Sequence, residues 1–75
     1  SEAHLSKKFK EILGIGVSKY INLARVEHSE FLLKTTNLSV TDIALECGFN
    51  DSNYFSTIFK KIIGITPLKY RAAYR

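Results

Sequence analysis

Seventy-five residues make one small domain, because domains cluster near about 100–150 residues and a second core has no room. Hydrophobic residues at 45% and charged residues at 24% are the balance of a folded chain, and the longest apolar runs, such as Phe31-Leu32-Leu33, fall far short of the about 20 residues that span a membrane. The net charge of +4 and a pI of about 9.4 stand above the value of roughly 9 that flags nucleic-acid binders, and a lone Cys47 excludes an internal disulfide.

The first predicted helix covers 2–13, where Leu5, Phe9, Ile12 and Leu13 recur at helical spacing until Gly14 stops it. Gly16 then holds the cap position of a long helix, 17–35, with Tyr20, Leu23, Ala24, Phe31 and Leu32 at helix-like intervals and no proline or glycine. At 1.5 Å per residue this helix is ~27 Å long. Ser39-Val40-Thr41-Asp42 resembles a capping box with aspartate in place of glutamate, and Leu38 and Ile43 stand where a hydrophobic staple closes such a start. Val40, Ile43, Ala44 and Cys47 mark the inner face of a helix over 40–47, which Gly48-Phe49-Asn50 breaks. Asp51 caps a helix over 52–63, whose stripe of Phe55, Ile58, Phe59, Ile62 and Ile63 follows the i, i+3, i+4, i+7, i+8 pattern. Gly64 supplies its left-handed end, and Thr66-Pro67 opens a last helix over 67–74.

Shifted by 50 residues, the chain aligns with itself. Residues 4–20 fall over 54–70, and eight of the 17 pairs are identical, among them Phe9/Phe59, Gly14/Gly64 and Tyr20/Tyr70. This is a duplicated supersecondary unit with too few copies for a solenoid. Helices 40–47 and 52–63, joined by a short glycine turn, have the form of a helix-turn-helix. A matching leading helix for the first copy would fall before residue 1, and no methionine occurs even at that position, so the chain reads as a piece of something longer. Charge follows the same division: residues 1–25 carry +3, residues 26–51 carry −4 and residues 52–75 carry +5, so two basic segments flank an acidic middle.

These residues resemble the AraC/XylS family of bacterial transcription regulators, specifically its C-terminal DNA-binding domain. The likeness runs through Ile43-Ala44, Gly48-Phe49-Asn50-Asp51-Ser52-Asn53-Tyr54-Phe55-Ser56, Phe59-Lys60-Lys61, Gly64, Thr66-Pro67 and Tyr70-Arg71. Tyr20-Ile21, Arg25-Val26 and Leu32-Leu33 are similar to the family's linker helix. The resemblance implies an all-α, homeodomain-like fold of two helix-turn-helix modules, the first incomplete, joined by a long linker helix. It divides the single DNA-binding domain into the remainder of a first module (1–16), a linker (17–35), and a second module with its final helix (39–75). It also implies double-stranded DNA as partner, recognition helices 2–13 and 52–63 in successive major grooves, RNA polymerase as a further partner, a sensor domain N-terminal to this segment, and a place in the bacterial cytoplasm at the nucleoid.

By the same resemblance, base-reading positions on the second recognition helix match Ser52, Asn53, Ser56 and Thr57. Asparagine bridges adenine N6 and N7, and serine or threonine contacts several bases. The corresponding face of the first helix holds Ala3, Ser6 and Lys7, with lysine suited to guanine O6/N7 and alanine to a thymine methyl. Lys10, Lys19, Lys60, Lys61 and Lys69 are phosphate candidates, as are the amides that Thr66 exposes at a helix N-terminus. Each lysine also suits a plain solvated surface. Phe9, Phe59, Tyr20 and Tyr70 lie among isoleucines and leucines at helical spacing, which assigns them to packing rather than base stacking.

Other chemistry finds no support. His4, His28 and Cys47 lack ligand spacing, there is no glycine-rich phosphate loop, and no nucleophile stands near a base, so no metal, cofactor or enzymatic activity is expected. The rival function is a protein-interaction module, in which the acidic outer face of helix 17–35, with Glu27, Glu30 and the nearby Glu46, meets polymerase or a partner subunit.

Overall fold

The computed structural model describes the backbone of residues 2–75 and the side chains from Lys7 onward. Among the described residues the chain is all helix: α1 (Glu2–Leu13), α2 (Val17–Thr35), α3 (Val40–Glu46), α4 (Ser52–Ile63) and α5 (Pro67–Tyr74). None of them is long and apolar enough to cross a membrane.

The ends of these helices follow from local chemistry. The Ser39 hydroxyl accepts the Asp42 N–H at 3.0 Å, which satisfies one orphan donor at the start of α3. Of the expected staple pair, Ile43 is wholly buried and Leu38 is exposed. Helix α3 ends one residue before the expected Cys47. There Gly48, at φ 95°, closes a Schellman turn in which the Gly48 N–H donates to Leu45 O (3.1 Å) and the Phe49 N–H donates to Ala44 O (2.9 Å). Asp51 caps α4, its Oδ1 accepting the N–H groups of Asn53 (2.7 Å) and Tyr54 (3.3 Å). Thr66 caps α5 by accepting the Lys69 N–H at 3.2 Å, with Pro67 at the first helical position.

Among the described side chains, the core begins at residue 26. Ile43, Ala44 and Cys47 of the α3 face meet Phe49, Phe55 and Phe59, and Val26 and Leu33 of α2 and Tyr70 of α5 close around them. Burial raises the Cys47 thiol above its ordinary pKa, with the neighbouring Glu46 adding to the effect, so it packs as a small neutral side chain. Phe55 and Phe59 contact edge to face at 5.7 Å, and Phe59 and Tyr70 do so at 5.5 Å.

The packing departs from the sequence pattern in two places. Of the apolar residues spaced along α2, Tyr20, Ala24 and Phe31 are exposed and Leu23 and Leu32 are half-buried, whereas Val26, Ser29 and Leu33 are the buried ones. The helix serves both modules, α1 near its start and α3, α4 and α5 further along, so no single stripe runs its length. Ser29 enters the core by donating its hydroxyl to Val26 O at 2.6 Å, which hides its polarity. The first copy, moreover, does not repeat the packing of the second. Phe9 keeps its edge contact with Tyr20 at 5.1 Å, the counterpart of Phe59 and Tyr70, yet Ile12 is 78% exposed and Leu13 is 52% exposed. The reason is that α2, α3 and α5 all pack against α4, while α1 packs chiefly on α2.

The result is elongated, 40 × 21 × 19 Å, with a radius of gyration of 13.7 Å. A compact chain of this length would have about 11 Å. The difference is the separation of α1 from α4 along the linker.

Candidate nucleic-acid interface

Helix α4 is amphipathic by construction. Phe55 and Phe59 are wholly buried, so the residues opposite them must face outward: Asn53, Thr57, Lys60 and Lys61 are exposed, and Ser52 and Ser56 are half-buried beside them. The Asp51 cap fixes the first turn, and with it the place from which Asn53 projects. The Thr57 hydroxyl donates to Asn53 O at 3.0 Å, which leaves its oxygen as an outward acceptor. Together these groups form a polar ridge with amide, hydroxyl and ammonium donors and no carboxylate, the composition that reads base edges and phosphates. Lys60 and Lys61 stand in the last turn, where they also complement the helix dipole.

Of the other sequence-predicted contacts, Lys7 and Lys10 are exposed on α1, Lys19 is exposed in the first turn of α2, and Lys69 is exposed on α5. Thr66 is half-buried and its hydroxyl is used as the cap. Ala3 and Ser6 lie outside the residues whose side chains are described. The basic candidates therefore fall on α1, the start of α2, α4 and α5. The acidic outer face of α2 has a different structure from the one expected: Glu27 and Glu46 are exposed, but Glu30 is half-buried and its Oε2 accepts the Tyr70 hydroxyl at 2.8 Å.

Sequence reasoning missed three residues of this region. Asn22 donates to the Tyr54 hydroxyl at 3.4 Å, and Arg25 lies over the Phe49 ring, 5.7 Å from its centroid. The signal available was the spacing of Ser18, Asn22 and Arg25, which puts polar residues on one flank of a helix. Among the described residues no group of three His, Cys, Asp or Glu side chains is placed to hold a metal ion.

Comparison with known proteins gives the same fold and the same context. The helix-turn-helix domain family matches residues 1–73. The transcriptional activator RhaR of Enterobacter sp. (strain 638) is 41% identical over 71 residues, 95% of this chain and 25% of that protein. The C-terminal domain of the two-component response regulator yesN from Fusobacterium nucleatum superposes with a TM-score of 0.90 at 45% identity, covering 95% of this chain and 69% of that one. The DNA-binding domain of the global transcriptional factor AdpA, solved in complex with a target DNA, superposes with a TM-score of 0.93 at 31% identity, covering 100% of this chain and 68% of that one. The chain spans about a quarter of the length of the curated relatives it matches.

Proposed function

Because the chain belongs to the AraC/XylS family of transcriptional regulators and carries its helix-turn-helix DNA-binding domain, we propose that it binds double-stranded DNA sequence-specifically, with α1 and α4 in successive major grooves. Asn53, with Ser52, Ser56 and Thr57, reads bases from α4, and Lys7, with Ala3 and Ser6, reads them from α1. Lys10, Lys19, Lys60, Lys61, Lys69 and the amides at Thr66 hold phosphates. The observation that carries this reading is the polar ridge of α4, opposite two phenylalanines with no exposure at all. No catalytic step belongs to this reading. In a larger bacterial regulator the domain would act at the nucleoid, take its signal from a sensor domain on its N-terminal side and meet RNA polymerase.

The test is fluorescence anisotropy of the chain with random duplex DNA between 50 and 200 mM salt. About five phosphate contacts give a slope of log K against log salt near −4 to −5. Lys60→Ala lowers that slope by about 0.9, and Asn53→Ala reduces discrimination among sequences. A flat line overturns the proposal.

A further inference from the structure

We propose that the linker helix supplies a further DNA contact beyond Lys19: a seat for a backbone phosphate of the duplex between the two major grooves, formed by Asn22 and Arg25 of α2 with Tyr54 of α4. The seat rests on the reading of α4 as a recognition helix and adds to it a site that forms only where the linker meets α4.

An open cleft of about 230 Å³ lies between the two helices, lined by Ser18, Ile21, Asn22, Arg25 and Tyr54. Its polar groups are a guanidinium, a carboxamide and two hydroxyls, with no carboxylate among them, and so it offers donors to an anion. The bond from Asn22 Nδ2 to the Tyr54 oxygen uses that oxygen as acceptor, which leaves the phenol O–H to donate outward and the second amide N–H of Asn22 unused by this bond. Arg25 is held by its surroundings: its guanidinium lies over Phe49, and its Nε occupies the space a side chain on Gly48 would take. A planar donor fork positioned in this way suits a phosphodiester oxygen pair.

Place and polarity agree with the chemistry. Tyr54 is the neighbour of Asn53 in the first turn of α4, so the cleft opens beside the base-reading ridge, on the linker that separates α4 from α1. On α2 the positions 18, 22 and 25 share one flank. Leu23, Glu27 and Glu30 lie on the other, lining a separate groove with Ile62. The linker thus keeps its acids away from the flank that carries Arg25, as a helix lying along a polyanion requires.

Salt-dependent binding of the intact chain to random duplex DNA tests the seat. Arg25→Gln is expected to reduce the slope of log K against log salt by about 0.9, so that affinity falls about 3-fold less between 50 and 200 mM than in the unsubstituted chain. Arg25→Lys, which keeps the charge, retains the slope. Tyr54→Phe weakens binding about 2- to 10-fold with the slope unchanged, because the hydroxyl carries no charge. If Arg25→Gln keeps its helical circular dichroism and its full slope, the seat is refuted. Should that variant unfold, Tyr54→Phe and Asn22→Ala decide, and unaltered affinity in both refutes the seat. When the unsubstituted slope is steep and Lys60→Ala still lowers it, such a failure concerns the seat alone. A flat slope for the unsubstituted chain removes the DNA reading and the seat together.

Discussion

Gly48 sits at φ 95° in the turn between α3 and α4, and a Cβ placed on it would stand 2.9 Å from Arg25 Nε. Gly64 has nearly the same φ, 97°, at the end of α4, with nothing within 4 Å of such an atom. The pair separates backbone strain from crowding. Gly64→Ala incurs only the left-handed cost of about 1–2 kcal/mol. Gly48→Ala incurs that cost and also pushes the guanidinium off Phe49, a further ~1 kcal/mol. Urea midpoints of the two variants should therefore fall in that order, and equal midpoints would mean that Arg25 yields without loss. Single residues were unevenly legible. Asn53, Thr57 and Lys60 follow from helical geometry once Phe55 and Phe59 are taken as core. Arg25 does not, because Gly48 and Phe49, which position it, lie far along the chain. Ser29 reads as polar and is buried, since its hydroxyl is satisfied by its own helix.

At the scale of elements, helix limits were readable because each rests on a local signal: Ser39, Asp51 and Thr66 cap the starts, and Gly64 ends α4. How α5 is fastened was not, since its bonds reach across more than thirty residues to the end of α2. Arg71 donates to Leu33 O at 3.1 Å and to Thr36 O at 3.2 Å, supplying partners to carbonyls that the last turn of α2 leaves free. The Tyr70 hydroxyl donates to Glu30 on the same helix. Burial, and then the bond to Glu30, push the Tyr70 phenol up from 10.0 to about 12. A folded pKa above the unfolded one means that the stabilisation is complete below pH 10 and disappears as the pH rises toward 12. Tyr70→Phe should lower stability at neutral pH by about 1 kcal/mol, leaving Glu30 without its donor. It should also remove this part of the alkaline decline. Chemical denaturation of both chains across that range measures the difference, and parallel curves would show that the phenol does not govern it.

Across the whole molecule the duplication is one of sequence and of a paired aromatic contact, but not of burial. Every buried side chain among those described belongs to residue 26 or beyond, while Phe9 is half-buried and Ile12 and Leu13 are exposed. The internal repeat was visible in the residues, whereas the unequal packing was not, because it depends on which elements lie over each stripe. Stability should divide accordingly. Phe59→Ala is expected to cost about 3–5 kcal/mol, as for a phenylalanine at the centre of a core. Phe9→Ala should cost about 1 kcal/mol, chiefly the edge contact with Tyr20. Native-state hydrogen exchange gives the sharper comparison. Amides of α1 should open locally at a small free energy, with α4 exchanging only through global unfolding. If α1 is a recognition helix that the duplex itself holds in place, adding DNA must raise protection in α1 by more than in α4, because only α1 has a low-lying open state for binding to suppress. Equal exchange free energies in the two helices would instead make the chain one cooperative unit, in which exposure of Ile12 and Leu13 carries no energetic consequence.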